Sequence, residues 1–246
     1  MTITPVLASN FTGRTVVLFG GTSGIGLAAA IQAKAAGAKV VVIGSNAARA
    51  EQAAKDHGLD QWRAADVTRR EAVEAALADI PVVDHLMLLA GTFVTGTILT
   101  ADVDHLRRAF DERIWASINA IRTLGDRLSK AGSITFISGA LADRPNAHGT
   151  AVIGAASAAM EALARGLALE LAPIRVNTLS PGPIDTPIFS KALGEGRDSY
   201  VAALEQALPL HRLGTPEEAG AAALFLMTNT FMNGAVLNVD GGARLV

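Results

Sequence analysis

The chain has 246 residues, of which 50% are hydrophobic, so it can bury the core of one large α/β domain. Its 21 basic and 23 acidic side chains give a net charge of −2, and no basic block points to a nucleic-acid partner. Cysteine is absent, which excludes disulfide bonds and a cysteine-bound metal and fits a reducing compartment. The first residues, MTITPVLASNFTGR, do not resemble a signal peptide, and no apolar run reaches the roughly 18 to 20 residues that cross a bilayer. We therefore expect a cytoplasmic protein without a membrane partner.

Short apolar runs alternate with longer, alanine-rich segments of helical period along the chain. The predicted strands are RTVVLFG, AKVVVIG, the weaker QWRAA, HLMLLAG, SITFIS, IRVNTLS and AVLNVD. Nearly continuous apolar strands separated by helices are typical of a parallel sheet covered on both faces. We predict one domain over residues 1–246 with a Rossmann-type, doubly wound, seven-stranded parallel sheet. Ligands of such folds bind beyond the carboxyl ends of the strands.

The first strand is followed by the glycine-rich loop GGTSGIG, which opens a helix. Glycines allow the backbone to approach a pyrophosphate closely, and the helix N-terminus attracts the anion. Taken alone, the loop favours a dinucleotide only weakly, because glycine turns between a strand and a helix are common and can be merely structural. The residues predicted to bind a dinucleotide here are Gly20, Thr22, Ser23, Gly24, Ile25 and Gly26.

The end of the second strand indicates which dinucleotide binds. An acidic residue there would accept hydrogen bonds from the ribose 2′-hydroxyl and repel a 2′-phosphate. Ser45 and Asn46 are uncharged, and Arg49 lies near enough along the chain to meet a phosphate. The alternative is that Ser45 or Asn46 caps the next helix and Arg49 is solvated. The missing carboxylate favours NADP(H) over NAD(H).

The chain resembles the short-chain dehydrogenase/reductase family over essentially its whole length. The matching segments are GGTSGIG, DVT at 66–68, LLAG at 88–91, RVNTLSPGPIDTP, RLGTPEE and NGAVLNVDGG. The resemblance implies that the glycine loop holds the pyrophosphate, that Asp66 contacts adenine and that Thr186 helps to position the nicotinamide. It also implies cofactor contacts at Val67, Ala90, Gly91, Pro181, Gly182 and Ile184. Leu88 and Leu89 replace two asparagines of the family, so the bonds of those amides are missing.

The family's catalytic residues are replaced in this chain. The resemblance places Arg113 at the family's asparagine, Gly139 at its serine, Ile153 at its tyrosine and Ser157 at its lysine. In the family the tyrosine passes the proton and the lysine lowers its pKa, which neither Ile153 nor Ser157 can do. The single tyrosine, Tyr200, is followed four residues later by Leu204, so the chain has no Tyr-x-x-x-Lys pair.

Arg113 and His148 are the first candidates for the chemistry. Arg113 keeps its proton near neutral pH but can polarise a carbonyl or bind a carboxylate or phosphate. The alternative for Arg113 is an ion pair on the helix surface, with three acidic residues in reach: Asp111, Glu112 and Glu161. His148 would be able to move a proton, because imidazole can both accept and donate one, unless it is a solvated or structural loop residue.

Three further residues carry weaker expectations. Ser138 precedes the family's serine position by one residue, which on a strand turns its side chain to the opposite face. Tyr200 either reaches the site from the predicted substrate lid, at about 187–212, or packs within that lid. His211 precedes a predicted helix start, and we interpret it as structural.

Three functions remain open from the sequence. The first is an NADP(H)-dependent oxidoreductase that acts on a small carbonyl or alcohol substrate with a non-standard catalytic site. The second is a nucleotide-binding homologue without catalysis, acting as a sensor or partner subunit, and the third is a non-redox isomerase or lyase. We expect a homodimer or homotetramer through helices at about 102–129 and 150–172 and the last strand, unless their alanines pack only on the parent sheet.

Overall fold

The computed structural model describes residues 10–188 and 196–246. Seven parallel strands form one sheet in the order β3-β2-β1-β4-β5-β6-β7. The strands are β1 (Thr15–Phe19), β2 (Lys39–Gly44), β3 (Gln61–Ala64), β4 (Val83–Leu88), β5 (Leu128–Ile137), β6 (Arg175–Pro181) and β7 (Val236–Val239). The chain reverses its direction across the sheet between β1 and β4, which are neighbours. The predicted doubly wound sheet, with its weaker third strand, is confirmed.

Helices cover both faces of this sheet. In chain order they are α1 (Gly24–Ala35), α2 (Ala47–His57), α3 (Arg70–Leu77), α4 (Val103–Phe110), α5 (Ala116–Leu124), α6 (Ala151–Glu170), α7 (Arg197–Ala207) and α8 (Pro216–Thr228). Side chains of α1, α2 and α8 pack on one face, and those of α3, α5 and α6 pack on the other. On β1, Val17 and Phe19 face helices α3, α5 and α6. Val16 and Leu18 face helices α1, α2 and α8. Because both faces are covered, strands β1 and β2 carry apolar residues at nearly every position.

Small residues allow α1 and α8 to pack closely. Ala29, Ala30 and Ala33 of α1 are completely buried. A Cβ placed on Gly220 of α8 would lie only 2.9 Å from the backbone nitrogen of Ala29. The small residues of these two helices therefore allow close helix packing within the chain. Thr215 begins α8 as a capping box with Glu218, which confirms the helix start predicted in RLGTPEE.

The prediction of a long helix at about 102–129 is wrong at the C-terminal end of that helix. The helix is interrupted by a π-helical segment, Asp111–Trp115, and its α-helical part ends at Leu124. Gly125 there has φ +49°, a conformation that ends a helix readily when the residue is glycine. Strand β5 then begins at Leu128, earlier than the predicted SITFIS, because an irregularity in the β4–β5 register accommodates the additional residues.

Polar side chains of β6 hold the C-terminal part of the chain. Arg175 donates to the carbonyl oxygens of Leu226 and Met227, at 2.7 and 2.6 Å, near the end of α8. Asn177 donates to the carbonyl of Met232 and accepts a hydrogen bond from the backbone N–H of Ala235, just before β7. Both side chains are buried, so these bonds satisfy groups that have no access to water.

Among the described residues, α6 has the length and apolar composition of a membrane span. It nevertheless carries Glu161 and Arg165 within its length. Its residues Met160, Ala164 and Ala168 pack into the core between the sheet and the neighbouring helices. These contacts are those of a crossover helix between β5 and β6.

We expect acid to destabilise the fold through His85, which is buried on β4 and contacts Ser133 at 2.9 Å. Burial and the charge of Arg175 lower the pKa of His85 from 6.5 to about 4. Between these values the unfolded chain binds a proton that the folded chain does not. The stabilising contribution is therefore complete above pH 6.5 and decreases as the pH falls to about 4, by about 3 kcal/mol in total.

Urea unfolding of the natural chain and of His85→Asn at several pH values measures this contribution. Asparagine does not titrate, so the variant should show a flatter dependence of unfolding free energy on pH across this interval. Equal slopes for the two proteins would contradict the assignment of the acid sensitivity to His85.

Candidate active site

Loops from four strands meet at the carboxyl edge of the sheet. A Cβ placed on Gly20, after β1, would lie 2.8 Å from the backbone nitrogen of Ala90, after β4. A Cβ on Gly24 would lie 3.1 Å from Cγ2 of Thr186, which follows β6. Gly139, after β5, lies near the carbonyl oxygen of Pro181, the last residue of β6. We call the space that these loops border the cleft.

The glycine loop has the backbone that a phosphate cradle requires. Gly20 and Gly24 have φ values of +81° and +52°, which glycine adopts without strain. A Cβ on Gly26 would lie 2.2 Å from the carbonyl oxygen of Gly20, so only glycine allows α1 to begin so close to β1. Ser23 makes no side-chain cap and the first turn of α1 has no acidic residue. The N–H groups of that turn therefore remain available to an anion. These features fit a dinucleotide pyrophosphate.

The residues after β2 were predicted either to bind a 2′-phosphate or to cap the next helix. Asn46 accepts a hydrogen bond from the backbone N–H of Arg49 at 2.9 Å and so caps α2. Ser45, Asn46 and Arg49 are all exposed. Gly44 lies against Thr22 of the glycine loop, since a Cβ on Gly44 would lie 2.7 Å from the Thr22 hydroxyl oxygen. The cap is confirmed, and the phosphate contact of Arg49 stays a prediction.

Asp66 follows β3 and lies at the same edge of the sheet. Its carboxylate accepts hydrogen bonds from the hydroxyl and the backbone N–H of Thr68, at 2.7 and 3.0 Å. The bond from the Thr68 hydroxyl is the largest of the effects that lower the pKa of Asp66. The carboxylate is thus ionised near neutral pH and keeps a fixed orientation. Val67, the next residue, packs against the core.

The four positions that match the family's catalytic residues differ in their surroundings. Ile153 and Ser157 lie one turn apart on α6 and are 3% and 4% exposed. Gly139 has extended backbone, and a Cβ there would meet only the Pro181 oxygen, at 3.7 Å. The first two positions thus carry no titratable group, and the third has room for a side chain. Only Arg113 brings a charged group to this set.

The guanidinium of Arg113 lies beside the loop that follows β4. A Cβ on Gly91 would lie 3.0 Å from Cζ of Arg113. One terminal nitrogen donates to the carbonyl oxygen of Thr92 at 2.9 Å, and the other to that of Ala109 at 3.4 Å. The side chain keeps some exposure to solvent, and burial lowers the pKa of Arg113. Arg113 is thus a cation in a partly enclosed position next to Gly91, a predicted cofactor contact.

The ion pair considered for Arg113 does not form among the described residues. Glu112 is instead bound by Arg108, at 2.6 and 3.0 Å from one carboxylate oxygen. Its other oxygen accepts the backbone N–H of Thr92 at 2.6 Å and the Thr92 hydroxyl at 2.8 Å. Glu112 and Ser138 are therefore both engaged elsewhere: Ser138 donates its hydroxyl to Glu161 at 2.6 Å. The Ser138 bond engages one carboxylate oxygen of Glu161. Asp111, the third acidic residue considered, forms no ion pair with Arg113 among the described residues.

Thr92 is a site residue that the sequence did not indicate, and Glu112 was considered only as an ion-pair partner of Arg113. In a regular α-helix, adjacent residues point about 100° apart, so Glu112 and Arg113 would not be expected to bind the same residue. The π-helical segment widens the turn, and both side chains reach Thr92. No pattern in the sequence marks this insertion.

Ser138 and His148 are less well placed for catalysis than Arg113. Because Ser138 donates its one hydroxyl proton to Glu161, it has none to offer a carbonyl in this arrangement. His148 lies on an exposed turn before α6, where its backbone N–H donates to Asn146. The neighbouring Gly149 accepts a hydrogen bond from Gly96 of the β4 loop at 2.9 Å, which brings this turn to the edge of the cleft.

The predicted lid, at about 187–212, is described except for residues 189–195. Asp185 forms an ion pair of 2.6 Å with Arg197 at the start of α7. Tyr200 lies on α7. His211 has φ +51° and contacts the carbonyl oxygen of Glu205, which agrees with a structural role. Whether the segment encloses a substrate stays a prediction.

Comparisons with known proteins agree on the family. A family model described as Enoyl-(Acyl carrier protein) reductase matches residues 20–244. Short-chain dehydrogenase/reductase ATR9 of Stachybotrys chlorohalonatus is 34% identical, over 95% of this chain and 98% of its own. The Cyclic-di-GMP-binding biofilm dispersal mediator protein of Escherichia coli (strain K12) is 32% identical over 94% and 97%. A crystal structure of a small-chain dehydrogenase in complex with NADPH has a TM-score of 0.80 at 31% identity, covering 95% of this chain and 99% of that one. The chain therefore belongs to the short-chain dehydrogenase/reductase family.

Proposed function

We propose that the protein is an NADP(H)-dependent oxidoreductase that interconverts a carbonyl and an alcohol with a catalytic site built around Arg113. The position of the Arg113 guanidinium beside Gly91 is the observation that carries this proposal. The glycine loop would hold the pyrophosphate, and Asp66 would contact adenine. The segment from Pro181 to Thr186, including Gly182 and Ile184, would face the nicotinamide. When bound, the nicotinamide supplies or accepts the hydride.

Arg113 would act by stabilising negative charge rather than by moving a proton. Its N–H groups can donate to the oxygen of a substrate carbonyl as that oxygen gains charge during reduction. Its anchor, the Thr92 carbonyl, is held because Glu112 binds the backbone N–H of the same residue. Arginine keeps its proton near neutral pH, so water would protonate the product oxygen, or His148 at the edge of the cleft.

Turnover of NADPH by the purified protein with a panel of ketones and aldehydes tests this function. Arg113→Met is expected to lower kcat/KM by about 10²- to 10³-fold, as the loss of one positioned donor does in other enzymes. NADPH affinity, measured separately, should change little. Full activity in Arg113→Met would remove this residue from the mechanism, and full activity in His148→Ala would leave water as the proton source.

Cofactor preference is expected to depend on Arg49. Arg49→Ala should weaken NADPH binding by about tenfold and leave NADH binding unchanged, because only the 2′-phosphate offers the guanidinium a charged partner. Titration of protein fluorescence with each nucleotide measures both affinities. Lys55→Ala, which removes another exposed cation of α2, is the matched control. An equal loss for both nucleotides, or none, would contradict the role given to Arg49.

A nucleotide-binding protein without turnover is the second candidate function. The name of the Escherichia coli relative states that it binds cyclic di-GMP, so family members of this similarity are not all described by a redox reaction. The absence of the Tyr-x-x-x-Lys pair supports the same alternative. Calorimetry with NADPH and with cyclic di-GMP separates the two: tight binding of either nucleotide without any turnover would favour this second function.

We also propose that the protein is a cytoplasmic homodimer or homotetramer. Large apolar side chains are exposed on the helices that would associate: Val103 is 66% exposed, Trp115 58% and Leu169 82%. Burying them between copies would be favourable. The chain's lack of cysteine is compatible with a reducing compartment.

A further inference from the structure

Arg113 brings a positive charge to the cleft and forms no ion pair with any carboxylate among residues 10–188 and 196–246, although the charge of nearby Glu112 partly offsets the effect of burial on its pKa. Its two protein acceptors, the carbonyl oxygens of Thr92 and Ala109, are neutral. The nearest acidic side chain in the sequence, Glu112, is already bound by Arg108 and Thr92. Removing an ion from water without a counter-charge is costly, and burial here lowers the pKa of Arg113. An anion that reaches this guanidinium would reduce that cost.

The guanidinium also retains unused hydrogen-bond donors. It has five N–H groups, of which the described residues accept two. The Arg113 side chain keeps some access to solvent, so the remaining donors are not sealed within the core. A planar guanidinium with free donors matches the two oxygens of a carboxylate in geometry as well as in charge.

The orientation of Arg113 is fixed before any ligand arrives. Thr92 accepts from Arg113 through its carbonyl oxygen, while its N–H and hydroxyl are both held by Glu112. Glu112 is in turn held by two bonds from Arg108. A donor that is already oriented gives up less conformational freedom when it binds.

We propose that Arg113 is the binding site for a carboxylate group of the substrate, so that the protein acts on a ketone or alcohol that also carries a carboxylate. Arg113 then determines substrate specificity, and Glu112 is a positioning residue that acts through Thr92. The identification of the bound carboxylate as part of a substrate rests on the proposed function. The binding of the anion itself does not.

Ligand-observed ¹⁹F NMR with trifluoroacetate tests the site, with trifluoroacetamide as a neutral probe of similar shape. Both are titrated in chloride-free buffer into the free protein and into protein saturated with NADP⁺. The carboxylate should bind at least about tenfold more tightly than the amide, and Arg113→Met should abolish the difference. Arg113→Lys should retain part of the preference for trifluoroacetate, because lysine keeps the charge but loses the planar set of donors. Arg122→Met, which removes an exposed arginine of α5, should leave it unchanged.

Glu112→Gln provides a second measurement that does not remove the arginine. Loss of the carboxylate weakens the hold on Thr92 but also removes a negative charge that acts on Arg113. A severalfold decrease in trifluoroacetate affinity is expected if Glu112 acts by positioning, and an increase would contradict that role. Equal affinity for the two probes, or an unchanged preference in Arg113→Met, would overturn the proposal. Competition between trifluoroacetate and NADP⁺ would also overturn it, because Arg113 would then serve a cofactor phosphate. A carboxylate preference without any nicotinamide binding would contradict the proposed function and leave the anion site standing.

Discussion

A variant that regains the family's four catalytic residues is expected to reduce a simple ketone about 10²- to 10⁴-fold faster than the natural chain. The substitutions are Ile153→Tyr, Ser157→Lys, Gly139→Ser and Arg113→Asn. Ile153 and Ser157 already lie one turn apart on α6, the spacing that the tyrosine and lysine need. Gly139 has room for a serine side chain, since a Cβ placed there would have only the Pro181 carbonyl oxygen within 4 Å.

The charge balance of the site also favours this restoration. The replacement of Arg113 by asparagine removes a positive charge from the site, which favours a charged lysine at the buried position of Ser157. NADPH consumption with an uncharged ketone is the measurement, after circular dichroism has shown that the variant is folded. A variant with the other three substitutions and Ile153 unchanged is the control, because it lacks the phenol and should not gain activity. A folded fourfold variant that binds NADPH and gains nothing would show that the alignment of these positions is wrong.

Gly26→Ala is expected to abolish NADPH binding and to destabilise the fold by about 1 to 3 kcal/mol or more. The added Cβ would lie 2.2 Å from the carbonyl oxygen of Gly20, and both atoms belong to the backbone or are fixed to it. The start of α1 must therefore move away from the end of β1, which opens the cradle for the pyrophosphate. Equilibrium unfolding in urea and calorimetry with NADPH measure the two effects.

Gly166→Ala on α6 is the matched control for a glycine within a helix. No atom lies within 4 Å of a Cβ at that position. Alanine is the better helix former, so this variant should be more stable by about 1 kcal/mol and should bind NADPH normally. If Gly26→Ala bound NADPH as tightly as the control, the glycine loop would not be the cofactor site.

The fold was predictable because its signals are local and repeated. The central strands β1 and β2 are runs of apolar residues, and helix starts carry glycine or capping residues, as in GGTSGIG and at Thr215. The C-terminal end of the second long helix was predictable within a few residues, since α6 ends at Glu170. The C-terminal end of the first long helix, at Leu124, was not predictable. Neither the π-helical segment nor the irregular start of β5 changes the apolar pattern of the sequence.

The candidate site was predictable in its residue types but not in its contacts. The sequence identified Arg113 as the unusual residue and offered three acidic partners, yet the structure assigns it neutral carbonyl acceptors. Which side chain faces Thr92 depends on the rotation of the helix, and a single inserted residue changes that rotation. Likewise, the use of the Ser138 hydroxyl by Glu161 depends on a contact between residues 23 positions apart.

The hydrogen bonds of Arg175 and Asn177 imply an order of assembly during synthesis. These β6 side chains bind carbonyl and amide groups of residues that leave the ribosome well after β6, from Leu226 to Ala235. Until those residues arrive, β6 is an unprotected edge of the growing sheet, with polar side chains awaiting partners and a strand open to other chains. Truncation before β7 should therefore reduce the yield of monodisperse protein, even though it removes none of the residues proposed to take part in the reaction.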